Sequence, residues 1–205
     1  MKRGKYIVIE GLDGSGKSTQ QQRLLHTLGD QAIGVREPGG TPMAEAIRTL
    51  IKDGSIPRAP RTNVFLFSAA RAELTDTIIR PAIGAGKHVV ADRNWLSTVA
   101  YQSAEGVSNM DEIYQLCKAA TEELFTPDLL IFIDTPVKIC WQRLQKRGST
   151  QGDYFDELGE NYFARVREVY LEHLQKLPRY EIVDGSGSIE EIAAKLHTLA
   201  TALLS

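Results

Sequence analysis

The strongest chemical signal in the chain is Gly11-Leu12-Asp13-Gly14-Ser15-Gly16-Lys17-Ser18-Thr19. It matches the pattern G-x-x-x-x-G-K-[ST], whose glycines let successive backbone N–H groups converge on phosphate oxygens. A helix starting at Lys17 would add the positive end of its dipole. From there Lys17 can reach the β- and γ-phosphates of a nucleoside triphosphate, and the Ser18 hydroxyl can hold Mg²⁺. A second candidate for the metal is Asp92, which ends the apolar run Val89-Val90-Ala91 and is followed by Arg93, a cation able to clamp another phosphate. Leu129 to Asp134 is a rival apolar run ending in aspartate, but its Thr135-Pro136 continuation reads as a helix cap, which favours Asp92. The loop alone does not name a reaction, because GTPases, motors, ATPases and kinases share it. The chain has no guanine-reading N-K-x-D segment.

These residues need a scaffold, and the pattern supplies one. Short apolar runs alternate with helical periods, as βαβ units around a parallel sheet do. Tyr6 to Ile9 is unbroken and β-branched, as in a strand buried on both faces. Ala32 to Arg36, His88 to Ala91, Leu129 to Ile133 and Tyr180 to Val183 give four further strands, so the expectation is an α/β fold with five parallel strands flanked by helices. Helices are expected at Lys17 to Leu28, Pro42 to Lys52 (capped by Thr41), Thr62 to Ile83 and Met110 to Phe125. Three more follow at Pro136 to Arg147, Leu158 to Leu177 and Ile189 to Leu203. Pro81 should kink or break the end of the third helix. In the sixth, Leu158, Tyr162, Val166, Val169, His173 and Leu177 fall on one apolar face, which makes His173 a core or flanking residue. Gly148 to Asp156 joins two helices without apolar periodicity, and a mobile lid at residues 148–157 is the expectation there.

Composition narrows the class. With 205 residues and 42% of them hydrophobic, the chain can build a full core and is read as one domain, 1–205. Its 24 Lys and Arg against 26 Asp and Glu leave a net charge of −2, too near neutral for a general nucleic-acid binder, so phosphate recognition must be local. Cys117 and Cys140 form no CxxC, and the four histidines are scattered, which argues against a disulfide scaffold or a zinc site. No apolar stretch is long enough for a membrane span, and a cytoplasmic location is expected.

Four segments together resemble the thymidylate kinase family of P-loop nucleoside monophosphate kinases. They are Gly11 to Thr19, Arg36-Glu37-Pro38-Gly39-Gly40-Thr41, Phe67-Ser68-Ala69-Ala70-Arg71, and Asp92-Arg93-Asn94-Trp95-Leu96-Ser97-Thr98-Val99-Ala100-Tyr101-Gln102. The resemblance runs from Lys5 to the Asp184-Gly185 turn. It implies a three-layer kinase fold, a homodimer, and transfer of phosphate from ATP to dTMP with Mg²⁺. By the same resemblance Arg36 and Arg93 approach the acceptor phosphate, Phe67 stacks on the pyrimidine, and Arg71 donates to a thymine carbonyl. The loop Glu37-Pro38 closes on the nucleotide, Tyr101 lies where a ribose 2′-OH would go, and Thr98 and Gln102 line the base. Asp13 would sit near the acceptor sugar and phosphate, Glu10 near the metal's waters, and Asp184 to Gly187 beside the adenine.

The sequence departs from the family in one catalytic feature. Members carry an arginine in the phosphate loop or the lid, whereas position 14 is Gly and residues 148–156 contain neither Arg nor Lys. The cations just before the lid are Arg143, Lys146 and Arg147, and Arg147 is preferred as the replacement, with Arg143 second. Ser103-Ala104-Glu105-Gly106 also stands where bacterial members are rich in glycine with an arginine. The alternatives are a kinase for another deoxynucleoside or its monophosphate, and a nucleotide-binding module with a degenerate lid.

Overall fold

The computed structural model describes residues 2–147 and 159–204, with the side chain of Arg147 excepted. Five strands form one parallel sheet: β1 (Tyr6–Glu10), β2 (Ala32–Arg36), β3 (His88–Asp92), β4 (Leu129–Asp134) and β5 (Tyr180–Asp184), in the order β2-β3-β1-β4-β5. All five stand where the apolar runs predict them, four of them one residue longer. The central strand β1 is buried along its whole length, whereas the edge strands β2 and β5 are buried at a single position each. That contrast is why Tyr6 to Ile9 carries no alternation and the edges do.

Helices cover both faces. Alternate strand residues Ile7, Ile9, Val90, Ile131 and Ile133 pack with Leu24 of α1 (Lys17–Leu28) and Leu196 of α9 (Ile189–Leu204). The other set, Val8, Val89, Ala91, Leu130 and Phe132, faces α3 (Pro60–Leu74), α5 (Trp95–Ala104), α6 (Met110–Thr121) and α8 (Glu160–Leu174). Between them lie α2 (Pro42–Lys52), α4 (Arg80–Gly84) and α7 (Val137–Arg147). Chain order leaves β1 between β3 and β4, so the loop after β1 opens at the point where the strand order reverses, the crevice where open α/β sheets bind ligands.

Four of the expected helices differ, and α5 stands where none is expected. The long helix is not continuous to Ile83: α3 ends at Leu74, Thr75–Ile79 forms a π-helical turn, and α4 follows. Pro81 has no N–H and crowds the preceding turn, and widening that turn places it at the start of α4, where the missing donor costs nothing. Met110 starts α6 as expected, but the helix stops at Thr121 because Glu122 takes φ 49° and opens a 3₁₀ turn. Thr135 does not serve as the cap of α7: its hydroxyl donates to the Ser15 carbonyl (3.3 Å), tying β4 to the phosphate loop, and α7 begins at Val137. In α8 the buried face runs through Tyr162, Phe163, Val166, Tyr170, His173 and Leu174, so Val169 and Leu177 sit at its margin. His173 is buried there and pairs with the Tyr114 hydroxyl. Leu158, the expected start of that helix, and the expected lid at 148–157 fall outside the described residues.

Candidate active site

The phosphate loop is built around two glycines. Gly14 takes φ +82°, and a Cβ there would stand 2.5 Å from the Cys140 carbonyl oxygen, so α7 packs too closely for any side chain at position 14. Gly11 at φ +151° is similarly confined, 2.7 Å from the Ile133 carbonyl oxygen. Gly16 precedes α1 in the left-handed region, and no side chain caps the helix, which leaves its first N–H groups for an anion. Lys17 is buried and donates to the Leu12 carbonyl at 2.8 Å. Burial, followed by the nearby Arg93 charge, lowers its pKa from the usual lysine range. Ser15 Oγ is buried with no hydrogen-bond partner among the described residues, and Thr19 is exposed on α1.

Ser18 and Asp92, the expected metal pair, do meet: the hydroxyl donates to Asp92 Oδ2 at 2.6 Å. Asp92 is buried and its Oδ1 has no hydrogen-bond partner among the described residues. A carboxylate oxygen left bare beside a serine hydroxyl fits a hard divalent cation, which takes oxygen ligands. The rival Asp134 is engaged elsewhere, in a two-pronged pair with Arg167 at 2.7 and 2.8 Å. Among the described residues no group of three or more His, Cys, Asp and Glu could hold a metal ion by itself. Glu10, expected near the metal's waters, is instead fully consumed as a brace. Its carboxylate accepts from the Asn94 and Ser97 backbone amides and from the Ser97 and Tyr170 hydroxyls.

Arg93 stands at the centre of the cleft. Its backbone takes φ 78°, a conformation that costs a non-glycine residue roughly 1–3 kcal/mol and persists only where its surroundings over-determine it. Those surroundings are visible. Nη2 donates to Asp13 Oδ1 (2.8 Å) and to the Tyr101 hydroxyl (3.0 Å). Nη1 donates to the Gly11 carbonyl (3.0 Å), Ser97 Oγ (2.8 Å) and the Tyr170 hydroxyl (3.0 Å). Tyr101 closes the ring by donating to Asp13 Oδ2 at 2.9 Å, and the guanidinium lies 5.0 Å from its ring centre. Burial opposes the charges of both ion-pair partners. Arg93, followed by Lys17, nevertheless outweighs it and holds the Asp13 carboxyl well below the ordinary carboxylate range. Asp13 in turn holds Arg93 firmly protonated. The phosphate loop and the far wall of the cleft are thus joined through one guanidinium.

A second cluster lies between α3 and α5. Arg71 is almost wholly buried; Nε donates to Glu37 Oε2 at 2.6 Å, and Nη2 donates to Thr98 Oγ1 at 2.9 Å and to the Asn94 carbonyl at 3.3 Å. Burial raises the Glu37 pKa, with Arg71 pulling against it. Glu37–Pro38 is a cis peptide, and the Pro38 carbonyl accepts from Arg48 at 2.8 Å. Phe67, one turn before Arg71, is half-buried at the core's margin. Gln102 is fully buried, with Nε2 donating to Glu105 at 3.0 Å.

Arg36 is the expected site residue that the structure does not bring into either cluster: its exposed guanidinium is taken by Glu45, at 2.9 and 3.1 Å. Of the two cations expected to replace the family arginine, Arg143 reaches the phosphate loop, donating to the Gly14 carbonyl at 3.1 Å. Arg147 is the last residue of α7, and its side chain lies outside the described set. Asp184 accepts from the Ser186 amide and hydroxyl, forming a tight turn after β5. Sequence reasoning missed Ser97 and Tyr170, both bonded to Arg93, and Glu37 as the partner of Arg71. For Tyr170 a signal existed, since it stands four residues beyond Val166 in the apolar period.

Comparisons with known proteins agree over nearly the whole chain. The family model described as Thymidylate kinase matches residues 9–196. Proteins named thymidylate kinase from Nitrosomonas europaea (38% identical, covering 94% of this chain and 90% of the relative) and Ectopseudomonas mendocina (37%, covering 98% and 97%) are similar to it. So is one from Thermosipho africanus, at 34% identity over 95% of this chain and 96% of the relative.

Proposed function

The chain belongs to the thymidylate kinase family, and from that premise we propose that it transfers the γ-phosphoryl group of ATP to the 5′-phosphate of dTMP, giving dTDP and ADP in the supply of dTTP. The observation that carries this reading is the Asp13–Arg93–Tyr101 ring, which ties the donor's loop to the acceptor's cleft. An arginine at that junction suits an acceptor that already bears a phosphate. A neutral 5′-OH would need a base beside it, and Glu10, the nearby buried carboxylate, is fully occupied.

Phosphoryl transfer asks little covalent chemistry of the protein. A dTMP phosphate oxygen attacks the γ-phosphorus in line as the bond to the β,γ-bridging oxygen breaks, and the residues supply position and positive charge. The loop amides and Lys17 hold the polyphosphate. Arg93 orients the acceptor phosphate, and Tyr101 fills the space a ribose 2′-OH would take. Phe67 and Arg71, with Thr98 and Gln102, receive the base, while Glu37 and Pro38 line the cleft and Arg36 would reach the acceptor phosphate on leaving Glu45. Ser18 and Asp92 would hold Mg²⁺, which would supply charge neutralisation on the polyphosphate. Arg143, which donates to the Gly14 carbonyl, is the cation we assign to the γ-phosphate, with Arg147 as the alternative.

We also assign a single domain, a homodimer and a cytoplasmic location. Met43 and Leu50 on α2 and Phe65 on α3 leave apolar surface exposed for a second copy to cover. Among the described residues no helix is long and apolar enough to cross a membrane. Coupled ADP release with dTMP, dUMP, dCMP, dGMP and thymidine as acceptors tests the reading. Turnover of dTMP above all others supports it, and faster turnover of thymidine rejects it. ATP binding without release from any acceptor would make the protein a nucleotide-binding module instead.

A further inference from the structure

Helices α3 and α5 meet along two facing rows that run in opposite directions. Arg71 bonds Thr98 at one end, and Asn63 Nδ2 meets Glu105 Oε2 at 3.5 Å at the other. Phe67 lies one helical turn from both Asn63 and Arg71, and Gln102 lies one turn after Thr98, so the ring and the amide share the middle interval. Gln102 is fully buried; its Nε2 donates to Glu105 Oε2 at 3.0 Å, while its Oε1 has no partner among the described residues.

The two amide ends of a glutamine are ordinarily interchangeable, but here chemistry decides between them. Glu105 Oε2 accepts from both Gln102 Nε2 and Asn63 Nδ2, so the Gln102 amino group faces Glu105 and its carbonyl faces the other way. A buried carbonyl without a donor is unfavourable until something supplies one. We propose that Glu105 is a specificity-determining positioning residue. By fixing the sense of the Gln102 amide it makes the base pocket demand a hydrogen-bond donor, such as the imide N–H of thymine, and reject the bare ring nitrogen of cytosine. The donor reaches the carbonyl directly or through one bound water. Glu105 touches no reacting atom. The inference deepens the reading of this cleft as the dTMP site and rests on it.

Steady-state kinetics of the wild type, Glu105→Met and Glu105→Gln with dTMP and dCMP test it. Glu105→Met removes the acceptor and frees the amide to turn over, so the ratio of kcat/KM for dTMP to that for dCMP falls about tenfold or more. The fall comes through the KM for dTMP, with kcat little changed. In Glu105→Gln the donors of Gln102 and Asn63 still converge on one oxygen, and the ratio stays within about threefold of wild type. If Glu105→Met fails to fold, Gln102→Met removes the carbonyl itself and must produce the same fall. An unchanged ratio, an equal loss for both nucleotides, or failure of Glu105→Gln to preserve selectivity would overturn the inference. Wild-type protein that phosphorylates no dTMP would instead overturn the reading of the cleft.

Discussion

The Glu37–Arg71 pair allows stability and function to be separated by experiment. Both side chains are nearly inaccessible, 4% and 1% exposed, and their contact is 2.6 Å. Glu37→Gln keeps the shape but leaves the guanidinium without a counter-charge, and breaking one side of a buried pair typically costs about 3–5 kcal/mol. Arg71→Met strands the carboxylate and should cost a similar amount. For a chain of this size about 1 kcal/mol shifts Tm by about 2–4 °C, so each single variant should melt roughly 6–20 °C below wild type. The double variant Glu37→Leu/Arg71→Met strands neither charge. Hydrophobic replacement of a buried pair is often neutral, so its Tm should return to within a few degrees of wild type. Binding of dTMP should not return with it, because the double variant still lacks the guanidinium proposed to read the base. Thermal melts and dTMP titrations on the four proteins check both halves. A double variant as unstable as the sum of the singles, or one that binds dTMP as wild type does, refutes the reasoning.

Other consequences follow from the same geometry. Arg93→Ala should lower kcat/KM for dTMP by at least about 100-fold while ATP affinity moves less than about tenfold, as isothermal titration would show. Equal losses would mean the acceptor site is misplaced. Asp92→Asn should raise the Mg²⁺ concentration needed for half-maximal rate, and an unchanged requirement would remove Asp92 from the metal site. Arg143→Ala should lower kcat more than the KM for either nucleotide, and a wild-type kcat would leave Arg143 as no more than a support for the Gly14 carbonyl. Burial holds the pKa values of His88 and His173 below the usual histidine range. The unfolded chain therefore binds more protons, so stability is full above the unfolded pKa of about 6.5 and is lost as pH falls from there through the depressed folded values. Tm measured from pH 7.5 to 5.5 should fall, and His173→Gln should flatten part of that slope.

What the sequence made legible is what local physics dictates. The phosphate loop declares itself because its pattern glycines, 11 and 16, take positive φ angles that side chains rarely adopt, and a Cβ at position 11 would also meet the Ile133 carbonyl oxygen. The central strands show because burial on both faces leaves an unbroken apolar run. Trp95–Ala104 carries no comparable signature as a helix: it is buried on nearly every side, so no amphipathic period marks it. The π turn at Thr75–Ile79 is hidden for another reason, since Pro81 announces a break but packing decides which turn widens. The site divides the same way. Asp92 and Arg93 are legible from their place at a strand end, but Glu37 and Arg71 lie 34 residues apart, and nothing local says they meet. Arg36 pairs with Glu45 of α2, a contact that its place at a strand end does not announce.

The most direct measurement is a crystal structure of the protein with dTMP and a non-hydrolysable ATP analogue. The pyrimidine should lie against the Phe67 ring with Arg71 at its carbonyl, and the 5′-phosphate should face Arg93 across from the triphosphate on the glycine loop. A base lodged elsewhere, or an uncharged sugar oxygen at Arg93, would contradict the account.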